Sequence, residues 1–209
     1  MNELNISKAI IRRLPRYYRY LEELKSEGVE RISSGELSER MHVTASQIRQ
    51  DLNHFGGFGQ QGYGYRVGYL YQEIGKILGL DRVNRLILIG AGSLGSAIAN
   101  YTNYRNRGFC IEALFEKDPE KIGTRIHDIQ VYNIDELEEY LSKHPVDIAV
   151  IAIPKQEAVK VAKRLSDSGI RAIWNFAHTD LPVPDYVTVE NVHLSESLMS
   201  LSYKLKSSK

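Results

Sequence analysis

Residues 85–116, RLILIGAGSLGSAIANYTNYRNRGFCIEALFE, decide the fold. An apolar run, Leu86-Ile87-Leu88-Ile89, leads directly into Gly90-Ala91-Gly92-Ser93-Leu94-Gly95, and a second apolar run over 111–115 ends on Glu116. The spacing predicts strand 85–89, helix 94–104 and strand 111–115, one parallel βαβ unit. Gly90, Gly92 and Gly95 stand in the GxGxxG spacing. The first allows a tight turn, the second lets backbone approach a pyrophosphate, and the third lets the helix pack closely with its N-terminus toward the phosphates. Glu116 follows Gly95 by 21 residues, where a carboxylate accepts hydrogen bonds from adenine ribose hydroxyls. An acid there repels a 2′-phosphate, so NADH and NAD+ are expected rather than their phosphorylated forms.

Working outward, Lys117 is expected to face solvent or the adenine edge, and Asp118 is the weaker ribose candidate. Tyr101, two helical turns beyond the loop, is placed to approach a nicotinamide. Further strands are predicted at 148–153, 172–175 and 187–189, with a short one near Gln130, and helices at 134–143 and 156–168. The near-continuous apolar IAVIAI is what a parallel strand covered on both faces requires. The fold expected is α/β, a Rossmann-like doubly wound parallel sheet. Pro154 and Asn175 end two of its strands at the carboxyl edge and join the cofactor-binding candidates. Residues 195–206, with Leu198, Met199, Leu201 and Leu205, read as an amphipathic helix following the last strand.

Residues 1–80 read differently. Ile10, Ile11, Leu14, Tyr17, Tyr18, Leu21 and Leu24 form one helical stripe over 7–25, in which Pro15 predicts a kink or a late start. Ser33 with Glu36 is a capping box opening a helix to Met41, and Thr44 with Gln47 opens another to about Phe55. Helix, tight turn, helix is a helix-turn-helix. GGFGQQGYGYRVGY, 56–69, suits a glycine-rich hairpin, a wing, and helix 69–80 presents Leu70, Ile74, Ile77 and Leu78 on one face. The expected domains are 1–80, 81–192 and a C-terminal helix 193–209. On the second helix of the pair, Ile48, Leu52 and Phe55 face inward, leaving Ser46, Gln47, Arg49, Gln50 and Asn53 for a groove. Arginine reads guanine and glutamine or asparagine reads adenine; Thr44 and Ser46 suit phosphates. Lys8, Arg12, Arg13, Arg16 and Arg19 form a basic run without an acid, of which Arg12 and Arg16 are the phosphate candidates.

Composition narrows the class. Over 209 residues, 43% are hydrophobic and 25% charged, with a net charge of +1, an ordinary globular balance. No apolar run reaches the roughly 18 residues of a membrane span, and the first residues lack a signal-peptide core, so a cytoplasmic protein is expected. One cysteine, Cys110, excludes an internal disulfide and a cysteine zinc site; no HExxH occurs, and no metal is expected. None of the 13 tyrosines is followed by lysine four residues on, and neither His178 nor His193 has a sequence-near carboxylate suggesting a relay. No catalytic set is legible, so an enzyme is not expected.

RLPRYYRYLEEL, SSGEL, QIRQDLNHFGGFGQQGYGY, GAGSLG, FEKDPEKIG, NFA and ENVHLS, in this order across nearly the whole chain, resemble the Rex family of redox-sensing transcriptional repressors. The resemblance implies a homodimer whose winged helices bind a palindromic, A/T-rich operator in double-stranded DNA, whose paired Rossmann domains bind NADH or NAD+, and whose C-terminal helix is dimer-swapped. It departs from the family pattern at Gln50 and at the wing pair Gln60 and Gln61, where basic residues are common, and at His178 and His193 in place of proline and aspartate. Fewer fixed charges predict weaker non-specific attraction to DNA. The function expected is a DNA-binding repressor that leaves its operator when NADH binds. Its rivals are an NAD-dependent oxidoreductase with a helical accessory domain and an adaptor using the helix-turn-helix for protein contacts.

Overall fold

The computed structural model describes residues 7–53, 59–60, 63–101 and 103–207; Phe55, Gln61 and the hairpin glycines Gly56, Gly57 and Gly62 lie outside these, as does the side chain of Gln60. The chain divides into two compact units, Met1–Arg82 and Val83–Lys209.

In the first unit α1 (Lys8–Ser26) is opened by Ser7, whose hydroxyl accepts from the Ile10 amide. It starts early and runs through Pro15, so the late start does not occur. Leu14, Tyr17, Leu21 and Leu24 are buried, while Ile11, at the margin of the stripe, is exposed. A two-residue strand, β1 (Arg31–Ile32), follows; it is too short to leave a period in the sequence. The Ser33 capping box forms as expected and opens α2 (Ser34–Met41), which ends at His42 in the left-handed region. After the turn comes α3 (Ala45–Asn53), and then β2 (Gly59–Gln60) and β3 (Gly64–Arg66) form the hairpin. β1 pairs with β3, giving an antiparallel order β1-β3-β2. At Gly64 φ is +67° and a Cβ would meet the Ile32 carbonyl at 2.5 Å, so only glycine fits. Helix α4 (Val67–Ile77) ends three residues before the expected point, because Gly79 turns left-handed and the Leu80 amide bonds back to Gly75. Ile77 is consequently exposed rather than part of the buried face. One core unites α1, α2, α3, α4 and the sheet through Tyr17, Leu37, Met41, Ile48, Leu52, Tyr65 and Leu70.

The second unit contains β4 (Asn84–Ile89), α5 (Ser93–Ala99), α6 (Asn103–Asn106), β5 (Phe109–Glu116), β6 (Arg125–Ile126), β7 (Ile129–Asn133), α7 (Leu137–Lys143), β8 (Ile148–Ile151), α8 (Lys155–Asp167), β9 (Ala172–Asn175), β10 (Thr188–Asn191) and α9 (Leu194–Ser207). The sheet runs β10-β9-β8-β4-β5-β7-β6. All pairs are parallel except β6 with β7, a hairpin whose first arm the sequence did not announce. The predicted helix 94–104 is two pieces: α5 stops at Ala99 with Asn100 as its C-cap. Asn100-Tyr101-Thr102-Asn103 strings together poor helix formers.

Helices α7 and α8 cover one sheet face through Leu137, Ala158, Val161, Ala162 and Leu165, and α5 lies on the other through Ile98 and Ala99. From β4 the chain builds outward through β5 and β7, then returns to β8 on β4's other side. The β4/β8 junction is therefore the topological switch point, where open α/β sheets hold ligands outside the strand carboxyl ends. No residue of α9 is buried, and Leu198, Met199, Leu201, Tyr203 and Leu205 are all more than 60% exposed. Among the described residues no helix is long and apolar enough to cross a membrane.

Candidate functional site

A cleft of about 370 Å³ opens at the switch point, lined by Gly90 and Gly92 from the loop, Glu116 and Lys117 at the end of β5, and Pro154 and Glu157 at the start of α8. The three motif glycines are required by different neighbours. At Gly90 φ is +102° and a Cβ would meet the Ala152 carbonyl at 2.6 Å; at Gly95 a Cβ would meet the Gly90 carbonyl at 1.8 Å. Both are demanded by the protein's own packing. A Cβ added at Gly92 would meet nothing within 4 Å. The small size of this residue serves no protein neighbour, so the loop leaves an open cradle on the cleft side, as a pyrophosphate needs. Gly92 caps α5 without any side-chain bond. Ala91 and Leu94 turn their side chains into the apolar cluster beneath α5, so those two positions offer the cleft backbone only, while Ser93 is exposed.

Glu116 does more than the sequence suggested. One carboxylate oxygen accepts the Ala91 amide at 2.7 Å, and the other accepts the Lys117 amide at 2.8 Å and the Asp118 amide at 3.2 Å. The acid thus ties the glycine loop to the end of β5, and its oxygens keep lone pairs toward the cleft. Lys117 turns to Glu157, with Nζ 2.5 Å from Oε1, which holds its ammonium above the ordinary lysine range. Asp118 pairs with Lys121 at 3.6 Å. Pro154 is the N-cap residue of α8 and stands in the cleft.

Two expected cofactor residues are placed elsewhere. Tyr101 follows the early end of α5, is half exposed, and lines two other pockets with Tyr104 and Phe109 rather than the cleft. Asn175 is wholly buried. Its amide donates to the Thr179 carbonyl at 2.9 Å and to Asn191 Oδ1 at 2.8 Å, and its oxygen accepts from Ala177. It pins the loop after β9 to β10 and has no donor left for a ligand. From that loop the His178 ring stacks on His193, after β10, with centroids 5.6 Å apart. Among the described residues no group of three or more His, Cys, Asp or Glu could hold a metal ion.

In the first unit, Ser46, Arg49, Gln50 and Asn53 are exposed on α3 at helical spacing, one polar ridge. Arg49 donates to Ser34 Oγ at the head of α2. The Thr44 hydroxyl caps the Gln47 amide at 3.1 Å. Gln47 itself departs from the ridge: its side-chain amide donates to Asp51 Oδ1 at 2.8 Å. Asp51 is the residue that sequence reasoning passed over. It is completely buried, and it accepts two bonds from Arg13 at 2.7 Å each and one from the Tyr17 hydroxyl at 2.9 Å. Burial pushes this carboxyl upward, but the bonds from Arg13, Gln47 and Tyr17 outweigh it and hold it below the ordinary aspartate range. Burial and the Asp51 bond drive the Tyr17 hydroxyl the other way. The signal available was an acid on the inward face, at the position after Ile48 that repeats at three. Arg13 therefore leaves the basic run, whose exposed members are Arg12, Arg16 and Arg19; Arg16 also donates to the Met41 carbonyl.

A winged helix-turn-helix with an exposed polar ridge, joined in one chain to a Rossmann-like unit with an open glycine cradle, defines a nucleotide-binding transcription regulator. Comparison makes the class particular. Residues 5–53 match the family described as "Putative DNA-binding protein N-terminus", and residues 81–179 match "CoA binding domain". The redox-sensing transcriptional repressor Rex of Clostridioides difficile (strain 630) is 56% identical over 98% of this chain and 98% of its own length. That of Thermoanaerobacter sp. (strain X514) is 56% identical over 96% of this chain and 89% of its own. The crystal structure of RSP in complex with β-NAD+ and operator DNA superposes with a TM-score of 0.92 at 55% identity, over 97% of this chain and 94% of that one. RSP in complex with β-NADH gives 0.90 at 51% identity, over 98% and 96%. The chain belongs to the Rex family of redox-sensing transcriptional repressors. These relatives are repressors, not dehydrogenases, which sets the oxidoreductase alternative aside.

Proposed function

We propose that this chain is a homodimeric repressor of the cytoplasm that binds a palindromic, A/T-rich operator through residues 1–80, binds NADH and NAD+ through residues 81–192, and releases the operator when NADH binds. The open cradle at Gly92, with Glu116 lining the same cleft, carries the reading. It is supported by the structures of RSP with NAD+ and operator DNA and with NADH. The dinucleotide, when bound, brings a nicotinamide ring whose charge differs between its two redox states.

The backbone from Gly90 to Gly95 faces the pyrophosphate, and Glu116 accepts the ribose hydroxyls while its charge disfavours a 2′-phosphate. Lys117 and Pro154 border the adenosine half. On the DNA side, Arg49, Gln50 and Asn53 read base edges, Ser46 and Thr44 meet phosphates at the head of α3, and Arg12 and Arg16 add phosphate contacts; Gln60 ends β2 of the wing. Helix α9 packs across the dimer, because its exposed Leu198, Met199, Leu201 and Leu205 make an apolar surface that a lone helix should not present to water.

A ligand moves an equilibrium only by its differential affinity for the two states. By reciprocity, operator must weaken NADH binding by the factor by which NADH weakens operator binding. Titrating NADH by its fluorescence with and without operator measures that factor. Equal affinities in the two conditions would refute the redox switch even if each ligand bound well.

A further inference from the structure

We propose that Arg31, with Arg66 beside it at the foot of the hairpin, supplies the phosphate-binding cations of the wing, whose sequence before Arg66 carries none. Residues 54–65, HFGGFGQQGYGY, contain no lysine or arginine. The hairpin's own cation is Arg66, the last residue of β3, and a stretch without cations contributes little to the electrostatic term that dominates affinity. The neighbouring strand places charge against this hairpin. Arg31 and Arg66 are direct register partners across the β1/β3 pair, and both are exposed. Like charges directly opposite on adjacent strands destabilise a sheet, and neither guanidinium is paired with a carboxylate among the described residues. Such a pair is held at a cost to the free fold that an anion between the two would relieve.

The direction of Arg31 is given by its side-chain hydrogen bond among the described residues. Its Nη1 donates to the Tyr63 carbonyl at 3.1 Å, so the side chain reaches along β3 to the residue before it, a tyrosine 69% exposed. A guanidinium has five donors, and this bond leaves four for phosphate oxygens. The same strand leads into the recognition face: β1 ends at Ile32, and Ser34, at the head of α2, accepts from Arg49 of the polar ridge. Arg31 and Arg49 therefore flank the same short link, one on the hairpin side and one on the groove side.

This inference rests on the repressor reading. Its test measures binding of the full chain to two duplexes of equal length, the operator recognised by RSP and a random sequence, by fluorescence anisotropy across a salt series. Arg31→Gln is expected to weaken both duplexes by the same factor and to lower the slope of log K against log salt by about 0.9, one phosphate. Arg31→Lys keeps the slope. Arg40→Gln, a charge-matched control whose guanidinium is spent on Glu27, leaves it unchanged. If Arg31→Gln unfolds by circular dichroism, Arg66→Gln carries the same test. An unchanged slope in the Arg31 or Arg66 variant, or an equal fall in the Arg40 control, overturns the proposal while leaving the repressor reading standing. Failure of the wild-type chain to bind either duplex overturns both.

Discussion

Asp51 is where α3 is anchored to α1, and Asp51→Ala should be the most damaging single change in the first unit. Three partners converge on this wholly buried carboxylate: Arg13 twice at 2.7 Å, Gln47 at 2.8 Å and Tyr17 at 2.9 Å. Removing one member of a buried ion pair costs about 3–5 kcal/mol, because the remaining charge stays desolvated. The Arg13 side chain is 31% exposed and can turn to water, which favours the lower end, about 3 kcal/mol. An 82-residue unit holds roughly 4–12 kcal/mol in all, so the loss removes between about a quarter and three quarters of its stability. Urea unfolding should show an early helical phase by circular dichroism. The emission of Trp174, the chain's single tryptophan, which lies in β9 of the second unit, should report its transition at the wild-type position. Arg13→Met with Asp51→Leu should recover most of the loss, since no orphaned charge remains. The carboxyl is depressed in the fold, so its contribution is present above the unfolded value of about 3.9 and disappears as pH falls below it, through the folded value. Asp51→Ala should flatten that acid limb. A loss under about 1 kcal/mol with an unaltered acid limb would refute the role given to this cluster.

Gly92→Val should abolish NADH binding measured by calorimetry while leaving thermal stability and DNA binding intact, because its Cβ meets no protein atom; Gly95→Ala should instead lower the melting temperature, since its Cβ would overlap the Gly90 carbonyl. Glu116→Ala should narrow the preference for NADH over NADPH in paired titrations, and it should loosen the glycine loop by freeing the Ala91 amide. Arg49→Ala should cost about 1–3 kcal/mol on the specific operator while Arg12→Ala weakens specific and random duplexes alike; an equal loss on both for Arg49→Ala would move base reading to another residue. Truncation after Val192 should give monomers or aggregates by light scattering and should remove operator binding; an intact dimer would detach α9 from the interface.

Much of this protein was legible in one dimension because the signals were local. A period of three and four, the Ser33 box, the GxGxxG spacing and an acid ending the second strand are each properties of a few consecutive residues, and each specifies backbone geometry through sterics and hydrogen bonding that no distant contact overrides. Both folds, the glycine cradle, Glu116 and the exposed ridge of α3 were read that way. Tertiary packing decided what depends on partners far along the chain. Gln47 looks like a groove residue and Arg13 like one more member of the basic run until Asp51, 38 residues beyond Arg13, takes bonds from both. Asn175 looks like a ligand residue until Asn191 and Thr179 take its amide. Tyr101 left the cleft because a helix predicted to continue lost its last turns to weak propensity. A polar side chain has only so many donors and acceptors, and burial makes each unspent one costly, so the partners that claim them settle a residue's role; those partners are assembled by the fold and not by the spacing.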